Sequence, residues 1–92
     1  MARNDVQAPR VLIVEDEPAL LGAFSRHLEQ LGFEVAQASC IQQARAAAWE
    51  QLPDVVLLDV LLPDGSGYDF CAELRRITSA PIIYVTALGQ DA

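Results

Sequence analysis

Three short, unbroken apolar runs punctuate the chain: Val11–Val14, Val55–Leu58 and Ile82–Val85. Each contains β-branched residues and is bounded by proline or acidic residues. Continuous runs of this length suit parallel strands buried on both faces. A weaker candidate, Phe33–Ala38, mixes polar and apolar residues as an edge strand does. Between these runs the apolar positions change to helical spacing. Leu20, Phe24, Leu28 and Leu31 form one stripe, with Pro18 suited to the first turn and Gly32 to the stop. A second helix is predicted with Ile41, Ala44, Ala48 and Leu52 on one face, and Ser39 with Gln42 as a capping box. A third carries Phe70, Leu74 and Ile77, with Ser66 as N-cap and Arg75-Arg76 near its C-terminal end. The order is βαβαβαβ, with Leu88–Ala92 as the start of a further helix. Short loops between alternating strands and helices predict a parallel sheet covered on both sides.

In such a sheet, ligands bind at the carboxyl ends of the strands. The first strand ends in Glu15-Asp16-Glu17, the third in Asp59 and the fourth in Thr86. Acids brought together there repel and raise one another's pKa unless a cation is present. Mg²⁺ resolves the conflict, being a hard ion that prefers oxygen ligands and keeps some water and substrate phosphate. Asp59 follows four consecutive apolar residues and so sits on a rigid strand end, where a carboxylate can attack phosphorus in line. The Thr86 hydroxyl, and the backbone N–H groups of Val60 and Ala87, could cradle the phosphoryl oxygens. Singly, each residue has a plainer reading: an Asp as a turn or cap, a Thr chosen for strand propensity, an acidic run as a solvated loop. At the ends of three strands in this order, the site reading is favoured. The segment Asp59-Val60-Leu61-Leu62-Pro63-Asp64-Gly65-Ser66-Gly67 adds a specific signal, with Pro63 fixing a bend and the glycines permitting positive φ before the third helix.

Composition narrows the classes. The chain has 92 residues, enough for one small domain, and is 52% hydrophobic and 21% charged, as a globular protein is. Neither a membrane span nor a signal sequence is visible, so a soluble, cytoplasmic, non-exported protein is expected. The net charge is −7, and all six basic residues are Arg, with no Lys. Nothing clusters positive charge, so direct nucleic-acid binding by this chain is not expected. Cys40 and Cys71 lack metal-ligand spacing; they could pair, but read better as small buried hydrophobes in a reducing compartment. Trp49 is assigned to packing and His27 to the surface.

As a set, Val11-Leu12-Ile13-Val14-Glu15-Asp16-Glu17, Asp59 with Pro63 and Gly67, and Pro81-Ile82-Ile83-Tyr84-Val85-Thr86-Ala87 closely resemble the receiver domain of bacterial two-component response regulators. The resemblance runs from about Arg10 to the end, leaving residues 1–9 as an N-terminal extension and 10–92 as the domain. It implies an α/β, flavodoxin-like parallel sheet with helices on both faces. It also implies a sensor histidine kinase as phosphoryl donor and Asp59 as acceptor. Asp16 would be a direct Mg²⁺ ligand, Glu15 a ligand or water-bridged neighbour, the Leu61 carbonyl a third protein ligand, and Thr86 the switch hydroxyl. Such a domain is a phosphoacceptor in a phosphorelay, not an enzyme acting on a separate substrate. Most precede a DNA-binding effector domain, so transcriptional control is implied by analogy. Members continue through a fourth helix, a fifth strand bearing a Lys and a fifth helix. The chain therefore reads as incomplete, with strand order 2-1-3-4. Its fourth strand would be an unpaired edge through which self-association is expected.

Three alternatives are weaker. A phosphatase of the haloacid dehalogenase kind wants a second Asp two residues after the nucleophile, where this chain has Leu61. A flavodoxin-like nucleotide binder wants Gly, Ser or Thr in its first loop, where Glu15-Asp16-Glu17-Pro18 would repel phosphate. A receiver-derived interaction module that no longer accepts phosphate is kept open by the missing Lys.

Overall fold

The structure is a computed structural model and describes residues 7–85. Thr86, Ala87 and the helix expected from Leu88 lie outside the described residues. The elements are β1 (Arg10–Val14), α1 (Pro18–Gln30), β2 (Glu34–Ala38), α2 (Ile41–Glu50), β3 (Val55–Leu58), β4 (Leu61–Leu62), β5 (Gly65–Ser66), α3 (Gly67–Leu74) and β6 (Ile82–Tyr84). Four strands form one parallel sheet in the order β2-β1-β3-β6, which is the expected 2-1-3-4 arrangement. β1, the strand with an unbroken apolar sequence nearest the start, lies inside the sheet with Val11 to Val14 all buried. The mixed-polarity strand β2 is at the edge, as its sequence predicts.

Side chains alternate across the sheet. Leu12 and Val14 of β1, Val56 and Leu58 of β3, and Ala38 of β2 point to one face, where they meet Ile41, Ala44 and Ala48 of α2 and Phe70 and Leu74 of α3. Fully burying one Leu or Phe of this kind stabilises the fold by about 1.5–3 kcal/mol. Val11 and Ile13 point to the opposite face, which α1 covers over β1 and β2. Ile83 on β6 remains 52% exposed. The turn from α3 into β6 is braced by Arg75, whose guanidinium donates to the Thr78 carbonyl at 3.0 Å and the Ala80 carbonyl at 2.7 Å.

Several local expectations need correction. The α1 stripe is rotated: Leu20 and Leu31 are 38% and 62% exposed, while Leu21, Phe24, Ser25 and Leu28 line the inner side. Ser25 is buried because its polarity is satisfied twice, donating to the Leu21 carbonyl at 2.7 Å and accepting from Gln37 Nε2 at 2.7 Å. Pro18 opens α1 as predicted, but the cap is Glu17, whose carboxylate accepts from the N–H of Ala19 and Leu20. Gly32 follows the helix at φ 98°, the conformation that favours glycine at a helix stop.

The Ser39–Gln42 capping box does not form. Gln43 instead accepts from the Ser39 N–H and hydroxyl, at 2.8 and 2.9 Å, and the cap position falls to Cys40, which makes no side-chain cap bond. Leu52 lies beyond α2 and is half exposed, and Trp49 is 67% exposed rather than packed. Trp49 stands at the rim of an ≈ 290 Å³ groove between α2 and α3. Both cysteines are free and only half-buried. His27 is on the surface, as predicted. Ser66 caps α3, accepting from the Tyr68 N–H at 3.1 Å.

Candidate functional site

Parallel pairing places the strand ends together. The Asp59 N–H donates to the Val14 carbonyl at 3.0 Å, the Glu15 N–H to the Ala38 carbonyl at 3.0 Å, and the Val85 N–H to the Leu58 carbonyl at 2.9 Å. Each bond continues a ladder one residue past its strand, so the residue after β1 and the residue after β3 become neighbours. One carboxylate oxygen each from Glu15, Asp16 and Asp59 lies within 4.8 Å of the others. Glu15 is buried, Asp59 half-buried and Asp16 exposed, so the cluster runs from the interior out to solvent.

The electrostatics of the cluster are unfavourable without a counter-charge. Burial pushes the Glu15 carboxyl above its ordinary range, against the opposing pull of the Glu17 N–H, which donates to it at 3.1 Å. The nearby charges of Asp59 and Asp16 raise it further. Three hard oxygen donors with mutual repulsion are the chemistry a divalent cation relieves. Two oxygens bound to one Mg²⁺ at about 2.1 Å are at most about 4.2 Å apart. The donor spacing is close enough for small side-chain motions to bring all three onto one ion.

The segment after Asp59 folds back as the β4–β5 hairpin, which pairs Leu61 with Ser66 and Leu62 with Gly65. This hairpin is not foreseen from the sequence, since two residues per strand leave no periodicity to read. The Leu61 N–H donates to Asp59 Oδ1 at 3.4 Å and the Gly67 N–H to the Val60 carbonyl at 2.7 Å, so the hairpin begins and ends against the carboxylate-bearing residue and its neighbour. Leu61 has its side chain 79% exposed while Leu62 packs on the core. Gly65 has the positive φ expected for a glycine here, 154°. Gly67 does not. It is required for space, because a Cβ there would overlap the Asp59 carbonyl oxygen. Thus the start of α3 rests directly on the backbone of Asp59.

Of the residues singled out from the sequence, Glu15, Asp16 and Asp59 come together, and Val60 and Leu61 follow at once on the hairpin. Thr86 and Ala87 are outside the described residues. Asp64 was not singled out. Its carboxylate accepts from the N–H of Ile41 at 2.8 Å and of Gln42 at 3.0 Å, capping α2 from another part of the chain. These two bonds hold the Asp64 carboxyl below its ordinary range. The sequence carries no sign of this partner, because Ser39 with Gln42 offers a local cap there that the structure does not use.

Residues 11–92 match the family model of the response regulator receiver domain. The chain belongs to this family. Among curated relatives it is 39% identical, over 85 residues, to the DNA-binding dual master transcriptional regulator RpaA of Synechocystis sp., covering 89% of this chain and 35% of that protein. It is 36% identical to the transcriptional regulatory protein AfsQ1 of Streptomyces coelicolor over 83 residues, 90% of this chain and 37% of that one. The receiver chain therefore spans about a third of the length of such relatives. Among solved structures it resembles a CheY-like receiver domain from Methylobacillus flagellatus, with TM-score 0.82, 29% identity, and coverage of 94% of this chain and 75% of that one. It also resembles the response regulator TrrA of Thermotoga maritima, solved in complex with Mg²⁺-BeF, with TM-score 0.80, 31% identity, and coverage of 86% and 70%. The fold is thus the flavodoxin-like one of this family, present here through its fourth long parallel strand. Among the described residues no helix is long and apolar enough to cross a membrane.

Proposed function

We propose that this receiver domain accepts a phosphoryl group on Asp59 from a sensor histidine kinase, with Mg²⁺ held by Glu15, Asp16, Asp59 and the Leu61 carbonyl. The observation that carries the reading is the convergence of three carboxylate oxygens within 4.8 Å at the carboxyl ends of β1 and β3. A bound Mg²⁺ would offset charge on the transferring group and orient its oxygens. The Asp59 carboxylate would attack phosphorus as the donor's P–N bond breaks, leaving an aspartyl phosphate and a neutral imidazole on the kinase. Asp59 is suited to this because the β3 ladder and the Gly67 contact fix its backbone, so little ordering is needed at the moment of attack. The N–H groups of Val60 and Ala87 and the Thr86 hydroxyl would donate to the phosphoryl oxygens, a role proposed for Thr86 and Ala87 on sequence grounds alone.

The domain is thus read as a phosphoacceptor of a cytoplasmic phosphorelay rather than an enzyme with a separate substrate. The relatives are transcriptional regulators by name and about two and a half times as long, which supports a DNA-binding effector elsewhere in the whole protein. Incubation with acetyl phosphate and Mg²⁺ tests the acceptor. Label should appear in the parent and vanish in Asp59→Asn. Label that persists in that variant and maps to another acid overturns the assignment.

A further inference from the structure

The hairpin that carries Leu61 is joined to the body of the domain in a particular way. Among the described residues, its only hydrogen bonds to a sequence-distant element are those accepted by Asp64 from Ile41 and Gln42. The partner residues are 23 and 22 positions away, on the first turn of α2. That turn has no side-chain cap of its own, because Cys40 stands at the cap position. A carboxylate there satisfies two otherwise unpaired donors and meets the positive end of the helix. Packing marks the same junction: a Cβ on Gly65 would come within 2.9 Å of Ile41 Cδ1, so the hairpin lies against α2 closely enough that any side chain there would push the Ile41 side chain aside. A turn aspartate whose sole task was the turn would bond to its own neighbours. Asp64 spends both oxygens on a distant helix instead.

Resting on the phosphoacceptor reading above, we infer that Asp64 is a positioning residue: it sets the acceptor hairpin, and with it the Leu61 backbone, relative to Asp59. The link has two ends. On one side, Asp64 completes α2. On the other, α2, seated on β1 and β2 through Ile41, Ala44 and Ala48, becomes the rigid support of a loop only two residues wide per strand. Loss of the carboxylate should therefore loosen both ends together, whereas loss of a purely local α2 contact should loosen one.

The control is Gln43→Ala, which removes the bonds from Ser39 at the same end of α2, where Gln43 makes no hydrogen bond to the hairpin. Amide hydrogen exchange in the full chain reads the two ends separately. Asp64→Ala should speed exchange by about tenfold at Ile41 and Gln42, and also at Gly67, whose N–H closes the hairpin on Val60. Gln43→Ala should leave Gly67 unchanged. Titration with Mg²⁺ alone, followed by amide chemical shifts at Glu15 and Asp59, should show binding weakened about tenfold in Asp64→Ala, the lower end of the loss seen for residues that orient metal ligands. Asp64→Asn, which keeps one acceptor oxygen, should fall between, and Gln43→Ala should match the parent. Unchanged exchange at Gly67 in Asp64→Ala overturns the link. So does Mg²⁺ binding weakened equally by Gln43→Ala, which would mean that Asp64 acts only through helix stability. A parent that binds no Mg²⁺ overturns the metal site instead, and exchange at Gly67 then still decides whether Asp64 holds the hairpin.

Discussion

Asp59 and Asp64 stand five positions apart on one short segment, yet their surroundings are opposite. Asp59 faces two further carboxylates, from Glu15 and Asp16, and receives one long bond from the Leu61 N–H. Asp64 faces two backbone N–H groups at bonding distance. Both belong to the same loop, and neither is fully buried. The partner therefore distinguishes them: a carboxylate among carboxylates is electrostatically unsettled and open to a cation or a phosphoryl group, while one among amide donors is settled and structural. Residue type and place on the loop alone would have ranked them together.

The largest expected effect tests the unsettled side. With free Mg²⁺ at one hundred times its Kd, thermal melts of the parent should show about 2.7 kcal/mol of added stability, since only the native state assembles the site. Asp16→Asn should remove most of that gain. A folded parent whose melting is indifferent to Mg²⁺ would dissolve the contrast between the two aspartates.

Next comes the effect of removing a charge without metal. Glu15→Gln should stabilise the metal-free domain by about 0.5–1 kcal/mol in urea unfolding, because it relieves repulsion at a buried position. Asp64→Asn should destabilise it. If both substitutions move stability in the same direction, the partners do not decide the matter.

A pH series sharpens the same comparison with smaller changes. Glu15 is raised above its ordinary 4.5, so the native state holds that proton to higher pH than the unfolded chain does. Its contribution is complete below the unfolded value and is lost as the pH rises through the folded one. Asp64 is lowered below its ordinary 3.8, so its contribution is complete above that value and is lost as the pH falls through the folded one. Stability of Glu15→Gln minus parent should therefore rise as the pH is raised from 4.5, and that of Asp64→Asn minus parent should become less negative as the pH drops below 3.8. Either difference staying flat would contradict the corresponding assignment.

The smallest effect separates two causes of the Asp64 shift. The N–H groups of Ile41 and Gln42 dominate, and Arg45 adds least. Arg45 is itself engaged with Glu73 of α3, through Nε at 3.2 Å and Nη2 at 3.0 Å. Arg45→Ala should move the Asp64 titration, followed by carboxyl NMR, only slightly. A large movement would transfer the credit from the helix end to the arginine.

Much of this is legible in the sequence. β1 and β3 are legible because strands covered on both faces leave no polar positions, and the carboxyl-end rule then brings Glu15, Asp16 and Asp59 together; β6 is legible by its apolar run although Ile83 and Tyr84 are exposed. What was not legible depends on contacts between distant residues. The α1 stripe was misplaced because Ser25 reads as polar, and only its bonds to Leu21 and Gln37 make burial tolerable. Trp49 reads as core by composition, but its position on α2 turns it toward the groove rim. The sequence offers a cap for α2 beside the helix, at Ser39 and Gln42, whereas it arrives from Asp64. Gly67 reads as a residue needed for positive φ, but the cause is crowding against the Asp59 backbone.

The sheet order also has a consequence in time. β1 is bonded to β2 on one side and to β3 on the other, and its Arg10 N–H reaches Asp54, 44 residues downstream. During synthesis β1 leaves the ribosome before either partner exists, and at about 5–20 residues per second its second edge stays open for seconds after the first can be paired. Val11–Val14 is thus the most apolar stretch with the longest wait. Nascent chains paused between β2 and β3 should be the ones that a chaperone finds.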